Sequence, residues 1–264
     1  MHSFGTIAAA SFRQYSTYRL ATAAGVFTNS VFGLIRASIL LAAIHAAGGD
    51  VAGYSAIQAA TYVWLGQAML AAIEAFGTRD LAQRIHAGDI AVDLLRPVGL
   101  LQVLYAQKIG RSAFLILGRG LPPTLIGALV TGIALPSEPL SWLLALPALL
   151  LAITVAFLGD TLMNLLAFWL VEVRGLLTLY MIVMNVMSGF LIPLAWFPDW
   201  FRIITALTPF PAMVQTPIDV LSGRVTGVDA LVAVGIQLVW ASVLALVTQR
   251  VLAAGVRATE VQGG

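Results

Sequence analysis

Residues 177–223 read LTLYMIVMNVMSGFLIPLAWFPDWFRIITALTPFPAMVQTPIDVLSG. The stretch opens as an apolar helix, meets Ser188-Gly189 and Pro193, and passes into a short segment bounded by Pro198 and Pro209. Within that segment Phe201, Ile204 and Leu207 recur at three-residue spacing, so one face of a short helix is apolar. The segment is far shorter than the roughly 20 residues a spanning helix requires. Irregular backbone survives at membrane depth only where protein or a water-filled cavity satisfies its polar groups. The stretch is therefore expected to be a re-entrant hairpin over residues 195–227, entering and leaving on one side. Pro193, Pro198, Trp200, Phe201, Ile204, Leu207 and Pro209 are its expected gate residues.

The rest of the chain supports a membrane setting. Of 264 residues 60% are hydrophobic and 10% charged, against about a quarter charged in soluble domains. There is no cysteine, which excludes disulfides, thiolate metal sites and thiol catalysis. The expected architecture is an all-α polytopic membrane protein forming a single transmembrane domain over 1–264. Its six spans are expected near Ala21–Ala46, Ser55–Phe76, Ile109–Leu135, Trp142–Leu170, from Arg174 into the hairpin, and Val228–Val251. Residues 1–19 place Phe4, Ile7, Ala8, Phe12 and Tyr15 at helical spacing, as in an amphipathic interfacial helix. No charged stretch precedes a short apolar core there, so a cleaved leader is not expected.

With six spans both termini share a side. Ten basic residues (Arg13, Arg19, Arg79, Arg84, Arg96, Lys108, Arg111, Arg174, Arg250 and Arg257) fall with them, and only Arg202 and Arg224 lie opposite. The positive-inside rule makes that side cytoplasmic. The net charge of +2 is thus loop arginine rather than a nucleic-acid surface.

The loop 77–108, GTRDLAQRIHAGDIAVDLLRPVGLLQVLYAQK, is the second informative stretch. Leu81 and Ile85 fall one turn apart and Gly88 interrupts the helix. Asp89 is then expected to cap a new turn with Ile90 and Leu94 on one face, stopped by Arg96-Pro97. Such a turn suits docking into a soluble partner; the plainer reading is a connector on lipid headgroups. The coupling candidates are Ile85, Gly88, Asp89, Ile90, Leu94, Leu95, Arg96 and Pro97.

Charges at membrane depth are expensive and normally face the interior and pair. Arg36, Arg119 and Asp160 fall inside expected spans, with Asn164 four residues from Asp160 on the same helix face. The expected arrangement is an Arg–Asp pair holding helices together; the functional alternative is an ion path. Glu74, one turn from a span end, is expected to snorkel. Tyr180, Met184, Asn185 and Met187 cluster on the fifth span, either as packing or as the lining of a translocation path. Lys108 is the only lysine and no GxxxxGK[ST] loop surrounds it, so ATP hydrolysis in the P-loop manner is excluded. No HExxH pattern occurs, and no metal site or catalytic constellation is expected.

Two stretches, SGFLIPLAWFPDWFRIITALTPFPAMVQTPIDVLSGR and IHAGDIAVDLLRPVG, resemble permease subunits of type-2 ATP-binding-cassette (ABC) exporters, the second resembling a subgroup of short, stand-alone bacterial permeases. The family includes drug, antibiotic and polysaccharide exporters. The resemblance implies a dimer with an identical or similar permease, seated among membrane lipids of the bacterial plasma membrane and joined to two ATPase subunits. ATP and Mg²⁺ would bind those subunits, and this chain would hold no cofactor and be no enzyme itself. The loop 77–108 would carry the coupling helix, residues 1–19 the connecting helix beside it, and the Pro198–Gly223 hairpin the extracellular gate. The substrate would be an amphipathic or apolar small molecule, peptide or lipid-like compound, moved outward by alternating access, as in antibiotic or multidrug efflux. Arg36 and Arg119 match no part of the family pattern. Two other classes stay open on the residues alone: an ion-gradient-driven transporter using Asp160 with Arg36 or Arg119, and a non-transporting membrane anchor or sensor.

Overall fold

A computed structural model describes residues 4–95 and 97–262; Arg96, among the coupling candidates, lies outside the described residues. The chain is helical almost throughout. Helix α1 (Phe4–Ser16) leads into α2 (Arg19–Ala46). Gly48 and Gly49, at φ +90° and +113°, end α2, and a two-stranded antiparallel hairpin follows, β1 (Asp50–Val51) with β2 (Tyr54–Ser55). Its turn residues Ala52 and Gly53 both have positive φ, which matches the right-handed twist of the strands. Ser55 then opens α3 (Ala56–Ala72) with a capping box, Gln58 Oε1 accepting from the Ser55 N–H at 3.0 Å.

Helix α3 is the centre of the body. Tyr62, Val63, Trp64 and Gln67 are all buried on it. The Trp64 indole fits because Gly33 of α2 and Gly127 further along offer no side chain where it lies. Its Nε1 donates to Thr131 Oγ1 at 3.0 Å.

Beyond α3 come the short helices α4 (Asp80–His86) and α5 (Ile90–Leu94), then α6 (Leu100–Leu115). A π-helical turn, Ile116–Gly120, joins α6 to α7 (Leu121–Val130). Pro122 and Pro123 explain it. A proline inside a helix removes one N–H and crowds the carbonyl four residues back, here those of Gly118 and Arg119. The freed Arg119 carbonyl accepts from Asn29 Nδ2 at 3.4 Å.

Helices α8 (Pro139–Leu165) and α12 (Gly227–Gln262) lie side by side, with Gln237 Nε2 donating to Ala148 O and Ala212 O at 3.1 and 2.8 Å. Between them run α9 (Arg174–Met187), α10 (Asp199–Ala206) and α11 (Gln215–Leu221). The connections collect at two ends. At one, the elbow end, α4 and α5 meet the α8–α9 turn; at the other, the hairpin end, the β-hairpin meets α11.

Among the described residues, four helices are long and apolar enough to cross a membrane: Arg19–Ala46, Leu100–Val130, Pro139–Phe168 and Gly227–Ala258. The two remaining expected spans are shorter helices, α3 of 17 and α9 of 14 residues. Two boundaries are corrected. The third long helix starts at Leu100 rather than Ile109, because Gly99 rather than Lys108 ends the loop, and Lys108 is buried within α6. Helix α12 continues through the polar tail to Gln262. Helix α1 lies packed along α6: its Ala8 backbone reaches Gly110, where a Cβ would overlap it, and Ser11 Oγ donates to Gln107 O at 2.8 Å.

Candidate functional site

At the elbow end the segment between α3 and α6 is fixed from beneath. Leu81, Ile85 and Ile90 are sunk into an apolar cluster with Leu100, Leu165 and Leu177. Asp160 accepts from Thr78 Oγ1 at 2.9 Å and from the Thr78 N–H at 3.3 Å. Asn164 accepts from the Ala82 N–H at 3.2 Å and donates to Thr78 O at 3.0 Å. These two side chains of α8, one turn apart as expected, therefore terminate the start of α4. The expected pair of Asp160 with Arg36 or Arg119 does not form. A hydroxyl and a backbone N–H satisfy the carboxylate instead.

The elbow candidates divide by burial. Ile85 and Ile90 face inward, while Val92, Leu94 and Leu95 are exposed, Leu95 at 86%. Gly88 turns the chain at φ +81° and Pro97 precedes α6. Asp89 makes no side-chain cap bond and has helical φ and ψ, so the expected cap is absent. Asp93 of α5 is ion-paired with Arg84 of α4 and clamps the two short helices together.

Glu74 does not snorkel. It sits at φ +56° with Oε2 2.6 Å from Lys108 Nζ and Oε1 2.5 Å from Arg111 Nη1. Arg111 in turn lies over the Tyr15 ring of α1, 4.6 Å from its centroid. A polar cavity of about 300 Å³ lies among Tyr15, Glu74, Lys108 and Asp160. Sequence patterns gave no sign of this cluster, since Glu74 and Lys108 stand 34 residues apart.

A second, larger cleft of about 480 Å³ lies between α2, α3, the π-turn and residues 190–191, and its lining includes Arg36 and Arg119. Arg36 donates one guanidinium nitrogen to the carbonyls of Phe190 and Leu191, the latter at 2.9 Å, and lies over the Phe190 ring. Arg119 lies against Gly25. The path candidates on α9 sit elsewhere. Met184 is buried, the Tyr180 hydroxyl rests on Gly159, and Asn185 Nδ2 donates to Ala75 O at 2.9 Å. Met187 is half-buried at the end of the same helix.

The hairpin end is built on Gln215. Its Oε1 accepts from the Tyr62 hydroxyl at 2.9 Å and the Leu194 N–H at 3.1 Å. Its Nε2 donates to the Tyr54 hydroxyl at 3.0 Å and Asp219 Oδ2 at 2.8 Å. Gly189, at φ +80°, leaves room for this node, because a Cβ there would meet both Gln215 and Tyr62. Burial pushes the Asp219 carboxyl above its ordinary pKa, against the hydrogen bonds from Gln215 and Tyr54 and the charge of Arg224, which pull it down. Arg224 stacks 3.6 Å over the Tyr54 ring and donates to Gly53 O at 2.6 Å.

Helix α10 rises from this node between Pro198 and Pro209. Trp200, Ile203, Ile204 and Leu207 are exposed on it, and Phe201 stacks on Phe197 with centroids 4.6 Å apart. Pro193 leads into the turn Leu194–Trp196 just before it.

No curated protein and no solved structure matches the chain. The family described as ABC-2 family transporter protein matches residues 32–263. That match runs from the middle of α2 to the end of α12, and the chain belongs to the ABC-2 transporter family of membrane proteins.

Proposed function

We propose that the chain is the membrane-spanning permease subunit of an ATP-driven exporter, coupled to ATPase subunits through α4 and α5. The carrying observation is the two-sided elbow: Leu81, Ile85 and Ile90 hold it to the spans, and Val92, Leu94 and Leu95 present an apolar tip. Helix α3, about 26 Å long at 1.5 Å per residue, and α9 complete six crossings with the long helices. Both termini are then cytoplasmic in a bacterial inner membrane, with α1 braced beside the elbow. Two such permeases and two ATPase subunits, which bind ATP and Mg²⁺, form the working unit, and α10 gates the outer exit in an alternating-access cycle. The ion-gradient reading loses its basis, because Asp160 is committed to Thr78 and Asn164 and neither Arg36 nor Arg119 reaches it.

The test is copurification of a P-loop ATPase with the tagged full-length chain, and transport-linked ATPase activity of that complex. Leu95→Asp places a charge in an apolar docking groove and is expected to abolish both, leaving the thermal midpoint of the isolated chain unchanged. Ile90→Asp, by contrast, is expected to lower that midpoint. If no ATPase accompanies the chain, or Leu95→Asp retains it with full activity, the reading fails.

A further inference from the structure

The cleft between α2, α3 and the π-turn has an unbalanced charge. Arg36, Arg111 and Arg119 line it, and Glu74 is the one carboxylate among its lining residues. Glu74 is already engaged by Lys108 and Arg111. Among the described residues no carboxylate pairs with Arg36 or Arg119, so the cleft carries two uncompensated guanidinium groups between apolar walls that include Phe32, Leu70 and Leu115.

Arg119 is held in place rather than free. Its guanidinium lies against Gly25, where any side chain would overlap it, and its Nε is buried without a hydrogen-bond partner. Asn29, one turn further along α2, fixes its backbone carbonyl. Arg36 leaves two of its three guanidinium nitrogens unengaged by any described residue. Desolvated charge is costly unless paired, and a planar guanidinium fork with open donors matches carboxylate, phosphate or sulfate oxygens. Gly25 and Arg36 stand eleven residues apart on α2, about 16 Å at 1.5 Å per residue, so one small headgroup does not bridge both sites.

We propose that this cleft binds an anionic amphiphile, its acidic head on Arg119 and its apolar body along Phe32, Leu70 and Leu115, with Arg36 as a second anion station nearer the hairpin. This names a substrate class for the exporter and rests on that reading for the direction of movement only; the binding itself does not.

The full chain in nanodiscs of zwitterionic lipid is titrated with dodecyl phosphate, dodecyltrimethylammonium and dodecyl maltoside. Dodecyl phosphate is expected to bind at least about tenfold more tightly than either of the others. Arg119→Gln is expected to weaken it by about tenfold and Arg119→Lys by less, while Arg250→Gln, an exposed arginine outside the cleft, leaves it unchanged. Arg36→Gln gives a smaller loss. Equal binding of the cationic and anionic probes, or full binding in both Arg119→Gln and Arg36→Gln, overturns the proposal. Competition by phosphatidylglycerol in the nanodisc identifies the occupant as an anionic bilayer lipid; dodecyl phosphate binding that persists and stimulates the ATPase complex identifies it as cargo. Because the titration contains no ATPase, failure to find one would remove the exporter reading and leave the anion site standing.

Discussion

The elbow end and the hairpin end are anchored by different chemistry. At the elbow end ionic ties reinforce the apolar anchor of Leu81, Ile85 and Ile90: Lys108 and Arg111 on Glu74, beside Asp160 on Thr78. At the hairpin end the central tie is an uncharged side chain, the Gln215 amide, shared among Tyr62, Tyr54, the Leu194 N–H and Asp219, with the Asp219–Arg224 ion pair at 3.3 Å on its edge. Removing one partner from a buried ion pair leaves an uncompensated charge, whereas neutral hydrogen bonds contribute roughly 1 kcal/mol each and exchange with water when opened. On the exporter reading proposed above, the elbow would stay attached to the spans and the hairpin would yield.

The sharpest attack on this contrast is Glu74→Gln, which strands Lys108, whose side chain is only 6% exposed. It is expected to cost about 3–5 kcal/mol, read as a large drop in the thermal midpoint in detergent. Replacing Glu74 and Lys108 together by Met is expected to recover part of the loss. If Glu74→Gln costs under about 1 kcal/mol, the elbow is not held by its ions.

Next in size is Gln215→Leu, which leaves the Leu194 N–H buried without its acceptor and takes a donor from Asp219, while the Tyr62 hydroxyl keeps the Gly189 carbonyl. About 2–3 kcal/mol is expected, with faster hydrogen exchange confined to residues 188–215. Exchange that accelerates equally at residues 78–90 would erase the distinction between the ends.

The smallest effect is expected at the tip of the hairpin. Asp199 and Arg202 form an exposed pair at 3.0 Å, so Asp199→Cys should change stability by no more than about 0.5 kcal/mol. In this cysteine-free chain the new thiol should react with an impermeant reagent added outside intact cells. Labelling only from the inside would overturn the six-crossing topology and with it the assignment of the two ends.

The features legible in the sequence were those set by local spacing and by breakers. Leu81 and Ile85 one turn apart, Gly88 as an interruption and the proline-bounded α10 all stand as read. What escaped depended on partners far along the chain. Lys108 looked like loop because Gln102 and Gln107 dilute the apolar pattern, yet the helix start is decided at Gly99 and the lysine finds Glu74 inside the body. The rule that buried charges pair does not say with what. Asp160 took a threonine, and Arg36 took two carbonyls more than 150 residues away, exposed by the backbone break after Gly189.

The π-turn at Ile116–Gly120 carries one further consequence, for chain length. A π-turn holds one residue more than the α-turn it replaces, so the faces of α6 and α7 already accommodate a surplus residue. Deleting the exposed Leu117 should remove the surplus residue and leave Lys108 and Gly127 facing the partners they have now, with the Gly118 and Arg119 carbonyls still open beneath Pro122 and Pro123. The same deletion at Leu125, inside regular helix, would rotate everything beyond it by about 100° and turn Gly127 away from Trp64. Expression and thermal midpoints of the two deletions compare these outcomes directly, and the helix should prove tolerant of shortening at this one turn.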